Sequence, residues 1–100
     1  MKSYYAYLAR NILKADANGA PVLFVQGLLD EIMPAASEAA CNIAKLESDG
    51  VTPRVCVDVT ADHLSVVRQN VAYAAQWGEA ILGGTSPPSC SALGMPACTP

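Results

Sequence analysis

The feature of this sequence that most limits its fold is a short apolar run. Residues 21–27 read Pro-Val-Leu-Phe-Val-Gln-Gly, a stretch too short for a helix and rich in branched and aromatic side chains. Such a run is typical of a strand buried on both faces, and strands of that kind are usually parallel. We therefore expect a parallel sheet with helices packed against it.

The remaining elements are predicted from periodicity and from start and stop signals. Apolar residues at helical spacing predict helices over residues 4–15, 34–48 and 64–82, and weak alternation predicts a second strand over 54–59. In the third helix Val67, Val71, Ala74 and Ile81 lie on one side. The order helix, strand, helix, strand, helix is that of an α/β fold with a right-handed parallel crossover.

Two strands make an incomplete sheet. Sheets of this class normally have about five or six strands, and two strands leave both edges open. We therefore interpret residues 1–84 as part of a larger α/β domain. Residues 85–100, rich in Pro, Ser and Cys, are predicted to form a tail.

Composition excludes several partners. Nine acidic and six basic residues give a net charge of -3, so no basic field is available for nucleic acid or for an anionic membrane. Apolar runs are interrupted well before the ~18 residues that a membrane span needs. With one His and widely spaced Cys, a zinc site is not expected.

The four cysteines favour an oxidising compartment. An even number of Cys suits a disulfide framework, for which three connectivities are possible. The first 19 residues contain Arg10 and Lys14 and no continuous apolar core, so they do not form a secretory signal peptide. The expected location is secreted or periplasmic, with a beginning that is missing from this chain.

Chemistry is expected where the two strands end. In an open α/β sheet, functional groups collect at the carboxyl ends of the strands. Asp30 follows the first strand, and His63, the one His of the chain, follows the second. Adjacent parallel strands would bring them to the same rim, as the orienting acid and general base of a nucleophilic hydrolase.

Structural explanations exist for both residues. Asp30 could cap the helix that begins near Pro34, and His63 could be a surface residue at the start of the third helix. Glu31 and Asp62 are rival acids, but Asp62 adjoins His63 in sequence and is expected to point elsewhere. Asp30 is therefore the preferred partner of His63.

These residues resemble a known family. The run over 21–27, then Asp30 and Pro34, followed after a helix and a strand by His63, is similar to the C-terminal part of an α/β-hydrolase, most of all the secretory lipases. The resemblance covers about residues 21–90. It implies that Asp30 is the triad acid and His63 the general base of a carboxylic-ester hydrolase. The substrate would be an ester or a lipid, and the acyl transfer that the resemblance implies needs no metal and no cofactor.

The resemblance also bears on the cysteines and on the substrate. It implies a disulfide between Cys41 and Cys90, whereas Cys56 and Cys98 have no counterpart and could pair or stay free. Three apolar residues around Asp30 could line an acyl pocket, although apolar residues at strand ends are more often packing residues: Leu28, Leu29 and Ile32.

One part of the family pattern is missing. In this fold the nucleophile precedes the acid and sits in a Gly-x-Ser-x-Gly elbow. The sequence contains no such elbow. The chain is therefore expected to be inactive by itself and to need the missing N-terminal half. The alternative is a non-catalytic α/β interaction module that pairs through an open strand edge.

Overall fold

The computed structural model of the protein describes residues 18–99. Strand β1 spans Leu23–Gly27, helix α1 spans Ala40–Ser48, strand β2 spans Arg54–Asp58 and helix α2 spans Ser65–Leu82. A π-helical turn, Ala35–Ala39, leads directly into α1. The helix predicted over residues 4–15 lies outside the described residues.

The two strands form one parallel sheet. Leu23 lies opposite Arg54, and Gly27 lies opposite Asp58, so both strands end at the same level. The parallel α/β arrangement predicted from the apolar run is confirmed. Because the strands end together, the loops that follow them start side by side.

The helix between the strands begins with an unusual turn. The carbonyl of Pro34 accepts hydrogen bonds from the N–H groups of Glu38, at 3.0 Å, and Ala39, at 3.3 Å. The second bond spans five residues, which makes the turn π-helical. Small side chains of this helical segment pack against the sheet: Ala35, Ala39 and Ala40. Together with Ile43, they make up half of the buried apolar residues of the described chain.

Helix α2 packs less closely than the helix between the strands. No residue of Ser65–Leu82 is buried. On the apolar side predicted from its periodicity, Val67 is 70% exposed and Val71 is 59% exposed. Within residues 18–99, therefore, this apolar side of α2 remains largely in contact with solvent.

The disulfides connect the C-terminal segment to the body of the domain. Cys41 pairs with Cys98, and Cys56 pairs with Cys90. The Cys41–Cys90 disulfide implied by the family resemblance is therefore wrong. Residues 83–99 form no helix or strand, and their path past β2 brings Cys90 to Cys56 before Cys98 reaches α1.

The two edges of the sheet differ. On the outer edge of β2, the Val57 N–H donates to the Ser91 carbonyl at 2.6 Å. On β1, the parallel register directs the N–H and C=O groups of Leu23 and Val25 away from β2. The hydrogen bonds within residues 18–99 give these groups no partner. Within residues 18–99, therefore, the C-terminal segment covers the edge of β2, whereas no described residue pairs with the edge of β1.

Candidate functional site

The loop that follows β1 is held by a buried polar residue. Gln26, 3% exposed, donates through Nε2 to the carbonyl oxygens of Gly27, at 2.9 Å, and Met33, at 3.0 Å. These bonds connect the two ends of the loop that contains Asp30. Sequence reasoning missed this residue, although a polar side chain inside an apolar run signals a specific hydrogen-bonding role.

Asp30 uses its two carboxylate oxygens differently. Oδ1 accepts hydrogen bonds from the backbone N–H groups of Ile32, at 2.9 Å, and Met33, at 2.8 Å. Oδ2 faces His63. The capping explanation fails for α1, because the helical segment begins after Pro34 and has no side-chain cap. Asp30 instead closes the loop before the helix, which fixes the direction of its second oxygen.

His63 lies in the turn that starts α2. Oδ1 of Asp62 accepts hydrogen bonds from the N–H groups of Leu64, at 3.0 Å, and Ser65, at 2.8 Å. In return, the Asp62 N–H donates a hydrogen bond to Ser65 Oγ at 2.9 Å. These reciprocal bonds resemble those of a capping box, with Asp and Ser in place of the usual Ser or Thr and Glu or Gln. They occupy Asp62 and hold His63 at the first turn, so Asp62 serves the helix and Asp30 serves the imidazole.

The loops after the two strands touch directly. Leu28 N–H donates to the Asp58 carbonyl at 2.9 Å, and Leu29 N–H donates to the Ala61 carbonyl at 3.0 Å. A Cβ added to Gly27 would lie 2.5 Å from the Ala61 oxygen. A glycine is therefore required at position 27 if the two loops are to approach this closely.

Asp30 and His63 are hydrogen-bonded across this junction. The distance from Asp30 Oδ2 to His63 Nδ1 is 2.9 Å. The Asp30 side chain is 5% exposed and the His63 side chain is 43% exposed. The carboxylate is thus shielded, whereas the imidazole reaches the surface.

Electrostatics keep Asp30 ionised. Burial raises the pKa of its carboxyl group, but hydrogen bonds from the Met33 N–H, the His63 imidazole and the Ile32 N–H more than compensate. The pKa of Asp30 is therefore below its ordinary value. An ionised carboxylate only accepts hydrogen bonds, so His63 Nδ1 carries the hydrogen and neutral His63 has its lone pair on Nε2.

An open cavity of about 360 Å³ adjoins the imidazole. Leu29 and Ile32 line it, whereas Leu28, the third residue proposed for an acyl pocket, does not. Leu28 lies instead beneath the C-terminal segment, where a Cβ on Gly94 would be 3.4 Å from its Cδ2. The other lining residues are Glu31, Thr60, Asp62, His63 and Leu64.

A second polar cluster supports the loop that contains His63. Asp58 Oδ1 accepts from the Thr60 hydroxyl at 2.8 Å and from the Thr60 N–H at 3.0 Å, and Oδ2 accepts from Asn70 Nδ2 at 3.0 Å. The Thr60 hydroxyl, the Asn70 amide and the Thr60 N–H lower the pKa of Asp58. Asp58 therefore connects the end of β2 to α2 on either side of His63.

Comparison with protein-family models, with curated proteins and with solved structures finds no match for this chain. The site is therefore interpreted from its own geometry. Residues 18–99 contain no group of three His, Cys, Asp or Glu side chains placed to hold a metal ion. Of the helices in the same range, none is long and apolar enough to cross a membrane.

Proposed function

We propose that this chain supplies the acid and the base of a Ser-His-Asp triad in a carboxylic-ester hydrolase similar to the secretory lipases. The observation that supports this most strongly is the 2.9 Å hydrogen bond between Asp30 Oδ2 and His63 Nδ1. The nucleophilic Ser would come from polypeptide outside these 100 residues, because the sequence has no Gly-x-Ser-x-Gly elbow.

Each residue has a defined role in this mechanism. As the Ser oxygen attacks the ester carbonyl, Nε2 of His63 takes the hydroxyl proton and later gives it to the departing alcohol. Water then attacks the acyl-enzyme with the same assistance. Asp30 keeps the hydrogen on Nδ1 and stabilises the imidazolium that forms in each step.

The cavity beside His63 supports an ester or lipid substrate. Apolar side chains that are largely exposed surround the imidazole: Leu29 is 57%, Ile32 70% and Leu64 82% exposed. An acyl or alcohol chain placed there would cover apolar surface that now faces water. No cofactor is required for this chemistry.

The two disulfides are compatible with an extracellular or periplasmic location. On this proposal the enzyme is secreted. The open edge of β1 is then the position at which the rest of the sheet, including the part with the nucleophile, continues.

Hydrolysis of p-nitrophenyl esters tests this function. The 100-residue chain is compared with a version extended by upstream coding sequence that contains a Gly-x-Ser-x-Gly elbow, each with and without a serine-directed fluorophosphonate. The extended protein is expected to turn over and to be labelled, and the chain alone is not.

Variants identify the residues responsible. Asp30→Asn is expected to lower kcat by about 10⁴-fold, because the amide NH₂ would face the imidazole and favour the wrong tautomer. His63→Ala is expected to abolish turnover. Glu47→Gln, an exposed residue of α1, is the matched control and is expected to leave activity unchanged. Full activity of the His63→Ala protein would refute the proposal.

A second candidate function is favoured by the open edge of β1. The outward backbone groups of Leu23 and Val25 have no partner within residues 18–99, and no charged residue occurs between positions 20 and 29. Such an edge accepts an added strand. A non-catalytic module of this kind would bind a partner chain, and Asp30→Asn would leave that binding unchanged.

A further inference from the structure

Residues 88–99, which we call the strap, run across the domain from β2 to α1. Two disulfides attach the strap, Cys90 to Cys56 on β2 and Cys98 to Cys41 on α1. Near its ends the Ser91 carbonyl accepts from the Val57 N–H, and the Thr99 N–H donates to the Ala36 carbonyl at 3.0 Å. The central part of the strap is therefore held in place from its two ends.

The centre of the strap lies against both loops of the candidate site. A Cβ on Gly94 would lie 3.4 Å from Leu28 Cδ2 and 3.8 Å from Val59 Cγ1. Leu28 precedes Asp30 by two residues, and Val59 directly follows β2 on the way to His63. The strap thus lies beside the place where the two loops leave the sheet, although Val59 remains 51% exposed.

The two disulfides differ in access to solvent. Cys56 is 4% exposed and its partner Cys90 is half-buried, whereas Cys98 is exposed and its partner Cys41 is half-buried. Thiol–disulfide exchange requires a thiolate to reach one of the sulfur atoms. The Cys41–Cys98 disulfide is therefore the more accessible of the two.

We propose that the Cys41–Cys98 disulfide is a redox-sensitive latch on the strap. A thiolate of a dithiol reductant attacks the Cys98 sulfur, and Cys41 leaves as a thiolate that takes a proton. The second thiol of the reductant then attacks the mixed disulfide and forms the oxidised reductant. Cys98 leaves as a thiolate that also takes a proton, so the disulfide gains two electrons and two protons in all.

Opening this latch frees the distal part of the strap. Residues 92–99 can then move away from Leu28 and Val59, while the Cys56–Cys90 disulfide still holds Cys90 on β2. The contact between the two loops is loosened, and the geometry of Asp30 and His63 becomes sensitive to reduction. That this would regulate catalysis rests on the proposed function; the release of the strap does not.

Stepwise reduction of the 100-residue chain tests the latch. The chain is treated with limiting dithiothreitol, alkylated with iodoacetamide and mapped by peptide mass, and hydrogen exchange is measured in parallel. Cys41 and Cys98 are expected to be alkylated before Cys56 and Cys90. At that stage the Leu28 and Leu29 amides are expected to exchange severalfold faster, while the Val57 amide keeps its protection.

The double variant Cys41→Ser/Cys98→Ser provides the control. Its Leu28 amide is expected to exchange fast without reductant. Limiting dithiothreitol that leaves Cys56–Cys90 oxidised is expected to cause no further change in this exchange. Simultaneous alkylation of all four cysteines, or unchanged exchange at Leu28 after Cys41–Cys98 is reduced, would overturn the proposal. If the double variant does not fold, stepwise reduction of the natural chain decides. None of these readouts requires ester hydrolysis, so failure of the hydrolase proposal is detected separately.

Discussion

At the scale of single residues, Asp30 combines a structural and a chemical role. Its Oδ1 closes the loop on the Ile32 and Met33 N–H groups, and its Oδ2 binds His63. Because Oδ1 is fixed by these two backbone hydrogen bonds, Oδ2 is held toward the imidazole. The same contacts stabilise the ionised form of the carboxyl group, so protonation of Asp30 is linked to folding.

The linkage predicts how stability depends on pH. The pKa of Asp30 is lowered in the folded chain, whereas in the unfolded chain it is about 3.9. The unfolded state therefore binds more protons between these two values. The contribution of Asp30 to the free energy of unfolding is full above pH ~4 and is lost as pH falls through the lower, folded pKa.

NMR titration of the Asp30 carboxyl carbon checks this prediction. In His63→Ala the pKa of Asp30 is expected to rise, because one of the hydrogen bonds that lowers it is removed. The pKa of Asp58 serves as an internal control, since its partners are Thr60 and Asn70. An Asp30 pKa that does not change in His63→Ala would show that the two side chains are not paired in solution.

At the scale of elements, the site depends on the close approach of the loops after β1 and β2. The contact between Gly27 and Ala61 sets the distance between them, and the N–H groups of Leu28 and Leu29 bridge them. The strands themselves contribute neither Asp30 nor His63. Their parallel register brings the Asp30 and His63 loops to the same end of the sheet.

Replacing Gly27 by Ala is expected to separate these loops. The added Cβ would meet the Ala61 carbonyl at 2.5 Å, so the backbone has to shift. We expect a loss of about 1–3 kcal/mol in the free energy of unfolding, measured with urea, together with a weakened Asp30–His63 hydrogen bond.

The matched control is Gly78→Ala in α2, where the added Cβ meets nothing within 4 Å. It should stabilise the chain by about 1 kcal/mol. Equal effects of the two substitutions would contradict this account of the junction.

Local patterns predicted most of the elements. The branched apolar run locates β1. Helical periodicity locates α2 to within one residue, and it locates α1 only together with the π-helical turn that precedes it. The parallel order then places Asp30 beside His63. The disulfide pairing was not predictable in this way, because it depends on the path of residues 83–99, which have no periodic pattern. Nor does the spacing of Val67 and Val71 reveal whether another element covers them.

At the scale of the whole molecule, residues 18–99 leave an apolar surface uncovered. Val67 and Val71 on α2 lie beside Val25 of β1 around an open groove of about 210 Å³. Among the described residues, the adjoining edge of β1 has backbone groups without a partner, whereas the strap covers the opposite edge of the sheet. This asymmetry is what the proposed hydrolase requires, since the sheet would continue on one side only.

Substitution of Val71 by Lys tests how exposed this surface is. In the 100-residue chain we expect the free energy of unfolding to change by less than about 0.5 kcal/mol, because Val71 is 59% exposed. Ile43→Ala in α1, where the side chain is 8% exposed, should cost about 2–5 kcal/mol. In a longer protein whose added elements cover α2, Val71→Lys should lower Tm markedly. A large loss already in the 100-residue chain would show that this side of α2 is buried in solution.

The tautomer of neutral His63 shows directly whether Asp30 orients the imidazole. A two-bond ¹H–¹⁵N correlation spectrum of the ¹⁵N-histidine-labelled chain, recorded well above neutral pH, shows which ring nitrogen carries the hydrogen. We predict hydrogen on Nδ1 in the natural chain and on Nε2 in Asp30→Asn, where Oδ1 still accepts from Ile32 and Met33 and the amide NH₂ faces the imidazole. Hydrogen on Nε2 in both proteins would contradict the claim that Asp30 orients His63 for catalysis.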